Sequence, residues 1–314
     1  MKNYGQTTKI LPTSCLEVDG FNVRVLRRLY KIAPFSLKGD YNQNKSPSPK
    51  PLMSCLICAS NRPKALNDLL EDLSGQDLES DKFEVVILND GGGESIRAVV
   101  NLFTAKLPIA YRENAASKKM IGLLRNSTLE MSCGEYILFL DDDTRILQSD
   151  FLRKGLDLFN KQNPDIIIPF GEALYGIVKL KYSYFDHYSF GCAGCLYKRG
   201  ILEEVGGFNG NIPAYEDIEM GIRMFIQGVA IIKTDELVYF HPPFYFDSMQ
   251  KPLSIGKSVL KLRRHYSFLV WLAVFLNALR FLPCGLVPDL RYQQWFKISL
   301  GVLLACFKKE EYYY

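Results

Sequence analysis

The feature that most constrains this chain is an apolar run followed at once by three carboxylates. Residues Tyr136 to Leu140 are apolar or aromatic, and Asp141, Asp142 and Asp143 follow them directly. Such a run predicts a strand buried on both faces of a largely parallel sheet. Three adjacent acids repel one another, so burying them without compensation is costly. Because ligands bind at the carboxyl ends of α/β strands and Mg²⁺ and Mn²⁺ prefer oxygen ligands, the run indicates either a divalent cation site or a solvated acidic turn.

The net charge is distributed unevenly along the chain. The total is +4, but residues 1–51 carry nine Lys/Arg and three Asp/Glu, and residues 251–314 carry ten and three. Residues 52–250 therefore have a net charge of −9. An acidic central region argues against a nucleic-acid partner, which requires a basic working face. Basic flanks suit contact with an anionic membrane surface.

Strand-like and helix-like segments alternate through the central region. The predicted strands cover 52–59, 83–88, 107–111, 136–140 and 165–170, with short ones at 230–233 and 237–240, and the predicted helices include 64–73, 117–131 and 150–160. This β-α-β order predicts a right-handed, doubly wound parallel sheet. A polar Pro/Ser-rich linker precedes it. We therefore divide the chain into an N-terminal extension and linker (1–51), an α/β domain (52–250) and a C-terminal helical region (251–314).

Two other kinds of site are disfavoured by spacing. Cys55 and Cys58 lie three residues apart on a predicted strand and so face opposite sides, which argues against a shared zinc ion with Cys192 and Cys195. The glycines at 91–93 do not form the G-x-G-x-x-G fingerprint and follow the second strand, which argues against a nicotinamide site.

Two further positions can carry chemistry. Glu216 and Asp217 start a predicted helix, where they either cap it or supply a general base for an acceptor hydroxyl. His241 ends a predicted strand, and as a neutral imidazole it can complete a metal site with the acids.

Taken in order, these motifs resemble the inverting, nucleotide-sugar-dependent glycosyltransferases of family 2, over about residues 52–245. The matching elements are Cys58 to Arg62, Asn89 to Gly92, Arg125-Asn126, Gly134 to Asp143, Gly206 to Phe208, Glu216-Asp217 and His241. The resemblance implies a GT-A fold, that is, a Rossmann-like, mostly parallel sheet flanked by helices, here followed by C-terminal amphipathic or apolar helices.

The resemblance also implies a role for each matching residue. Asp143 and His241 would hold a divalent cation, Mn or Mg, and Asp217 would be the general base, with Glu216 orienting the acceptor or sharing that role. Asp142 would face the donor, and Asp141 would shape the strand end and belong to the donor side. The expected nucleotide-sugar-binding residues are Ser60, Arg62, Asp90, Arg125, Asp141 and Asp142.

The expected partners are a nucleotide-sugar donor, UDP-linked in most members, and a glycan or lipid-linked acceptor in polysaccharide or glycoconjugate synthesis. No Gln-x-x-Arg-Trp follows Glu216-Asp217, which disfavours a processive synthase. Two alternatives stay open. A nucleotidyltransferase would share the acidic metal ligands, although it would want glycine in the turn at 60–63. A catalytically inactive nucleotide-sugar-binding homologue is the other.

The two ends of the chain suggest a membrane-associated protein. Residues 23–32 predict a strand or a short basic amphipathic helix that either packs on the domain or lies on a surface. Residues 266–282 and 298–307 are apolar pieces with basic neighbours, which lie in the membrane interface, span the bilayer or pack on the domain. With no secretory signal pattern at the start, we expect a cytoplasmic protein, peripheral at the cytoplasmic membrane face.

Overall fold

The computed structural model describes residues 14–15, 21–43, 48, 50–114, 120–173, 181–182, 191–242 and 246–308. The strands in these ranges are β1 (Ser14–Cys15), β2 (Met53–Ala59), β3 (Phe83–Asn89), β4 (Ile109–Glu113), β5 (Tyr136–Asp141), β6 (Ile166–Ala173), β7 (Lys181–Tyr182), β8 (Leu196–Lys198) and β9 (Ile231–His241). The helices are α1 (Phe21–Ile32), α2 (Pro63–Ser74), α3 (Gly93–Phe103), α4 (Ile121–Met131), α5 (Phe151–Gln162), α6 (Arg199–Glu204), α7 (Glu216–Gln227), α8 (Gln250–Lys261), α9 (Phe268–Leu279) and α10 (Leu290–Ala305).

One sheet in the order β1-β9-β6-β8-β5-β2-β3-β4 organises the chain, with β7 paired to β6. Strands β5, β2, β3 and β4 are parallel, as are β6 and β9, whereas β8 runs antiparallel between β5 and β6. The expected mostly parallel sheet flanked by helices is therefore confirmed. The carboxyl ends of β2, β3 and β5 lie side by side at one edge.

Strand β5 is buried on both faces, as its apolar run predicts. Leu138 and Leu140 belong to the core under one face, while Ile137 and Phe139 belong to the core under the other. Since successive side chains of a strand point to opposite faces, this division follows directly from the pleat.

The element boundaries differ from the sequence prediction most clearly at α4 and β9, and β4 lies two residues later than predicted. Helix α4 starts at Ile121, because Met120 has an extended backbone with ψ of 138°, and 117–119 lie outside the described residues. The two short strands predicted at 230–233 and 237–240 form the single strand β9, whose register with β6 shifts between Ile168 and Phe170. This irregularity accommodates the polar residues between the two apolar pieces.

The N-terminal helix α1 packs on the α/β domain, as one of its two interpretations predicted. Val23 and Leu26 are buried, and Arg27 Nε donates to the Phe225 carbonyl of α7 at 2.9 Å. The chain after α1 then follows the turn at 205–208, where Gly39 N donates to Val205 O and Tyr41 N donates to Gly206 O, each at 2.8 Å.

The C-terminal helices form a layer beside α1 and α7. Helices α8 and α10 touch backbone to backbone, because a Cβ on Gly256 would lie 2.3 Å from the Gly301 carbonyl oxygen. Helix α9 and the helical turn after it, Phe268–Leu286, make one 19-residue segment that is long and apolar enough to cross a membrane, with 17% of it buried.

Candidate active site

The acidic turn after β5 is tied to the end of the neighbouring strand β2 and, through it, to the ends of β3 and β4. Asp141 pairs in register with Cys58 of β2. The Ser60 amide donates to Asp142 Oδ2 at 2.9 Å, and the Ser60 hydroxyl donates to the Asp90 carbonyl at 2.8 Å. Asp90 Oδ1 in turn accepts from the Asn114 side chain at 2.6 Å. These contacts hold three of the predicted site residues at one edge of the sheet.

Asp142 is the most buried of the three acids. Its side chain is 1% exposed, and its Oδ1 lies 2.6 Å from Arg62 Nη2. Burial raises the pKa of Asp142 to about 6, although the Arg62 guanidinium and the Ser60 amide act against the rise. Arg62 also pairs with Asp143, so one half-exposed cation faces two acids.

Asp141, Asp143 and His241 form a group with the composition of a metal site. Their ligand atoms lie within 4.8 Å of one another. His241 Nε2 is 3.4 Å from Asp141 Oδ2 and 3.3 Å from Asp143 Oδ1. Asp143 Oδ1 is buried and has no hydrogen bond among the described residues, which is the state expected of a metal ligand without its ion.

The other ring nitrogen of His241 fixes how the ring can bind. Nδ1 lies 2.7 Å from the Pro242 carbonyl, which can only accept, so Nδ1 carries the hydrogen. In the neutral imidazole Nε2 is then the nitrogen that can bind a metal. Two carboxylates and one imidazole fit a divalent cation such as Mn²⁺ or Mg²⁺.

The charges around this group favour a bound cation. Burial lowers the pKa of His241, but the adjacent carboxylates of Asp141 and Asp143 outweigh it and raise that pKa to about 10. Burial likewise raises the pKa of Asp141, but His241 and Arg125 lower it well below its usual range. A divalent ion would displace the proton from His241, since metal ligands bind in their deprotonated form.

Arg125, from α4, joins the acidic turn to α7. Its Nη2 donates to Asp141 Oδ1 at 3.0 Å, and its Nη1 donates to Glu216 Oε1 at 2.5 Å. The guanidinium is buried and lies 5.5 Å from the centre of the Phe208 ring. Burial raises the pKa of Glu216, with Arg125 acting against the rise.

Asp217 follows Glu216 in the first turn of α7. Its Oδ2 accepts from the Cys192 amide at 3.4 Å, and its Oδ1 accepts from the Ile218 amide at 2.7 Å. Tyr215, just before the helix, has a φ of 94°. A non-glycine residue rarely adopts this conformation, and such strain concentrates at functional sites.

The turn at 205–210, beside this helix, is held from three sides. Asn126 brackets Phe208, accepting from its amide and donating to its carbonyl, each at 2.9 Å. Buried Arg223 donates to the Val205 and Gly207 carbonyls at 2.6 and 2.7 Å. The segment 39–41 covers the third side, where Asp40 Oδ2 accepts from the Gly210 amide at 2.7 Å.

The structure brings the sequence-predicted site residues into one region. Contacts link Ser60, Arg62, Asp90, Arg125, Asp141, Asp142, Asp143, Glu216 and His241, and Asp217 adjoins Glu216. Asp141, expected on the donor side, groups with the predicted metal ligands Asp143 and His241. Strand alternation was the available signal, because residues two apart share a side. Asn126, expected near the donor as part of the Arg125-Asn126 pair, instead contacts the backbone of Phe208. Asp40 was missed, since nothing in its local sequence marks it.

Comparison with known proteins finds a matching family model over about half of the chain and shows the fold. Residues 54–205 match the family model described as "Glycosyl transferase family 2". Poly(ribitol-phosphate) beta-N-acetylglucosaminyltransferase TarS of Staphylococcus aureus is 25% identical over 115 residues, which are 37% of this chain and 20% of that protein. The match therefore spans less than two thirds of this relative's length.

Two solved structures share the fold over most of the chain. The mannosyltransferase PcManGT of Pyrobaculum calidifontis, solved with GDP-Man and Mn²⁺, has a TM-score of 0.60 and 14% identity, covering 91% of this chain and 93% of that one. Residues 1–349 of Staphylococcus aureus TarS, solved with UDP-GlcNAc, give a TM-score of 0.58 and 17% identity, covering 81% of each chain. The expected GT-A fold is confirmed by these likenesses.

Proposed function

Because residues 54–205 match the family 2 glycosyltransferase model and the chain has the GT-A fold, we propose that it transfers a sugar from a nucleotide-sugar to a hydroxyl of a glycan or lipid-linked acceptor, with inversion and with a divalent cation. Residues 52–250 are the catalytic domain in this proposal. The reaction would serve polysaccharide or glycoconjugate synthesis.

One observation carries the proposal. Arg125 contacts both Asp141 of the cation group and Glu216 of α7, at 3.0 and 2.5 Å. A cation and a diphosphate on one side, and an acceptor hydroxyl on the other, would then meet across a single buried guanidinium. This is the arrangement that transfer between two bound substrates requires.

A divalent cation held by Asp141, Asp143 and His241 would supply positive charge against the donor diphosphate as the leaving group departs. The chain supports this with its own cation, because half-exposed Arg62 already faces Asp142 and Asp143 and can turn toward a phosphate. Ser60 and Asp90, at the ends of β2 and β3, would contact the nucleoside.

Asp217 is the proposed general base. It accepts the proton of the acceptor hydroxyl while that oxygen forms a bond to the anomeric carbon from the face opposite the diphosphate. The bond between the anomeric carbon and the diphosphate oxygen breaks, and the nucleoside diphosphate leaves with the electron pair. A single displacement of this kind inverts the anomeric configuration. Glu216, held by Arg125, would orient the acceptor.

The donor is proposed as a UDP-sugar, with a GDP-sugar as the next candidate. TarS was solved with UDP-GlcNAc and the Pyrobaculum mannosyltransferase with GDP-Man, so the fold accepts either base in those proteins. We also propose a cytoplasmic protein at the membrane surface, which would bring lipid-linked acceptors within reach.

Calorimetry with a panel of nucleotide-sugars, with and without Mn²⁺, tests the proposal. One donor should bind with an affinity that rises on adding Mn²⁺, and the same mixture with acceptor should yield a product of inverted configuration by NMR. Donor binding without transfer or hydrolysis would favour an inactive binding protein. Pyrophosphate release from a nucleoside triphosphate and a sugar phosphate would instead indicate a nucleotidyltransferase.

A further inference from the structure

The exposed apolar side chains of this protein are concentrated in the C-terminal layer. Of the fourteen large apolar side chains that the described residues expose, ten lie between Phe268 and Phe307. Leu286 and Phe307 are the most exposed of all, at 89% and 81%. Contiguous exposed apolar patches mark interaction sites, so this clustering indicates that the layer contacts another molecule or surface.

Helix α9 has a buried side and an opposite exposed side. Val270, Val274 and Ala278 are buried and repeat every four residues, against α1, α7 and α8. At about 100° per residue, the exposed Phe268, Leu269 and Leu276 fall on the other side of the helix. One side of α9 is therefore fixed to the protein, and the other has no described residue covering it.

The geometry of this segment does not suit a membrane span. Helix α9 ends at Leu279, and after a turn the chain continues as a 3-10 helix, Leu282–Leu286, that contains Pro283. Twelve residues of α-helix extend about 18 Å, whereas a hydrocarbon core is about 30 Å thick. The segment also stays packed on α10, where the rings of Phe281 and Trp295 lie 4.9 Å apart.

The charge of the layer is complementary to an anionic surface. Between Leu262 and Lys308 there are six Lys/Arg and a single acid, Asp289. Arg263 and Arg264 are exposed immediately before the apolar side of α9, and the Arg263 guanidinium lies 5.4 Å from the Phe268 ring. Cations beside exposed aromatic and aliphatic side chains are the composition of an interfacial membrane helix.

We propose that the surface formed by α9, residues 280–289 and α10 lies in the plane of an anionic lipid bilayer, with Phe268, Leu276, Leu286 and Trp295 inserted to the level of the headgroups and Arg263 and Arg264 on lipid phosphates. This in-plane attachment rests on the proposed membrane placement. Vesicle binding is measured without donor or acceptor, so its failure would leave the proposed transfer reaction standing.

The test is flotation of the full chain with two kinds of vesicle. One is phosphatidylcholine alone, and the other also contains ~30% phosphatidylglycerol, which gives it an anionic surface. We expect binding to the anionic vesicles and much weaker binding to the neutral ones. Arg263→Gln with Arg264→Gln should weaken binding by about 30-fold, at about fivefold per cation near such a surface. Phe268→Ser with Leu276→Ser should abolish it.

Matched controls lie at the far edge of the sheet. Leu102→Ser on α3 and Lys106→Gln after it change an exposed apolar group and an exposed cation, and they should leave binding unchanged. Equal loss in these variants, equal binding to both vesicles, or a concentration-dependent dimer that hides the surface would each overturn the proposal.

Tryptophan fluorescence separates in-plane attachment from spanning. The chain has only two tryptophans, Trp271 and Trp295, and both lie in this layer. In Trp271→Phe, the emission of Trp295 should shift to shorter wavelength on anionic vesicles and be quenched more by lipids brominated near the headgroup than by lipids brominated near the bilayer centre. Stronger quenching from the centre, or retention after a carbonate wash, would contradict the proposal.

Discussion

Arg125 donates to Glu216 at 2.5 Å and to Asp141 at 3.0 Å, so the predicted acceptor side and cation side share one buried guanidinium. The two carboxylates come from different elements, α7 and the end of β5, and among the described residues no hydrogen bond joins them directly. A single charge thus fixes the spacing between the two halves of the candidate site.

Replacing Arg125 by lysine tests this link. Lysine keeps the charge but lacks the planar fork that reaches two acids at once. We expect kcat to fall by about 100-fold, within the range for lost positioning of reacting groups, with the fold retained by circular dichroism. Arg153→Lys, at an exposed Arg–Asp77 pair, is the matched control and should retain full activity.

Chelation and ligand replacement test the cation group. EDTA should abolish transfer and Mn²⁺ should restore it, because Asp141, Asp143 and His241 would hold the ion against the donor diphosphate. His241→Ala should weaken Mn²⁺ binding by about tenfold or more, since even outer-shell changes cost that much. Calorimetry measures this directly. Asp157→Asn, on the exposed side of α5, should bind Mn²⁺ like the unchanged chain.

Asp217→Asn separates catalysis from binding. Removing a general base costs about 10²- to 10⁴-fold in rate. We expect kcat to fall in that range while the dissociation constant of the donor stays the same. Undiminished turnover would show that Asp217 is not the base.

Glu216→Gln has a pH signature. Burial raises the folded-state pKa of Glu216, so the folded protein favours the protonated carboxyl; that stability is present below the unfolded value near 4.5 and is lost as pH rises through the folded pKa. Glutamine does not titrate, so the variant lacks this pH-dependent contribution to stability. Relative to the unchanged chain, the variant should therefore gain unfolding free energy between pH 4.5 and neutrality, by up to about 1.4 kcal/mol for each unit of the pKa rise.

Urea denaturation at several pH values measures that difference, with the other titrating groups cancelling between the two proteins. A difference that stays constant with pH would contradict the raised pKa of Glu216.

Gly39→Ala tests the segment that covers the turn at 205–210. A Cβ at Gly39 would lie 2.5 Å from the carbonyl oxygens of Gly206 and Gly207, so the segment must lift away. We expect a higher KM for the acceptor with unchanged donor binding. Gly200→Ala is the control, because a Cβ there meets nothing within 4 Å.

The sequence predicts the sheet and most of the candidate site because these depend on short-range signals. The apolar run before Asp141 defines a strand, and the end of a parallel strand defines the edge where ligands bind. The position of His241 at a strand end suggested that it joins the acids, but its pairing with Asp143 in particular came from resemblance, since 98 positions separate them and no local pattern joins them. The contact of Gly39 with Gly206 could not be predicted, because a glycine is the only mark that a close approach of two backbones leaves in a sequence.

The close packing of Gly256 against Gly301 has a consequence for how an acceptor reaches the site. Helix α8, fixed to α10 by this contact, also accepts a hydrogen bond: the Ala214 amide, two residues before Glu216, donates to the Ser258 hydroxyl at 3.1 Å. Under the proposed attachment, the height of Asp217 above the lipid plane is then set by packed helices. A flexible tether would let the site reach acceptor hydroxyls at different distances from the bilayer, whereas here the acceptor must present its hydroxyl at one distance.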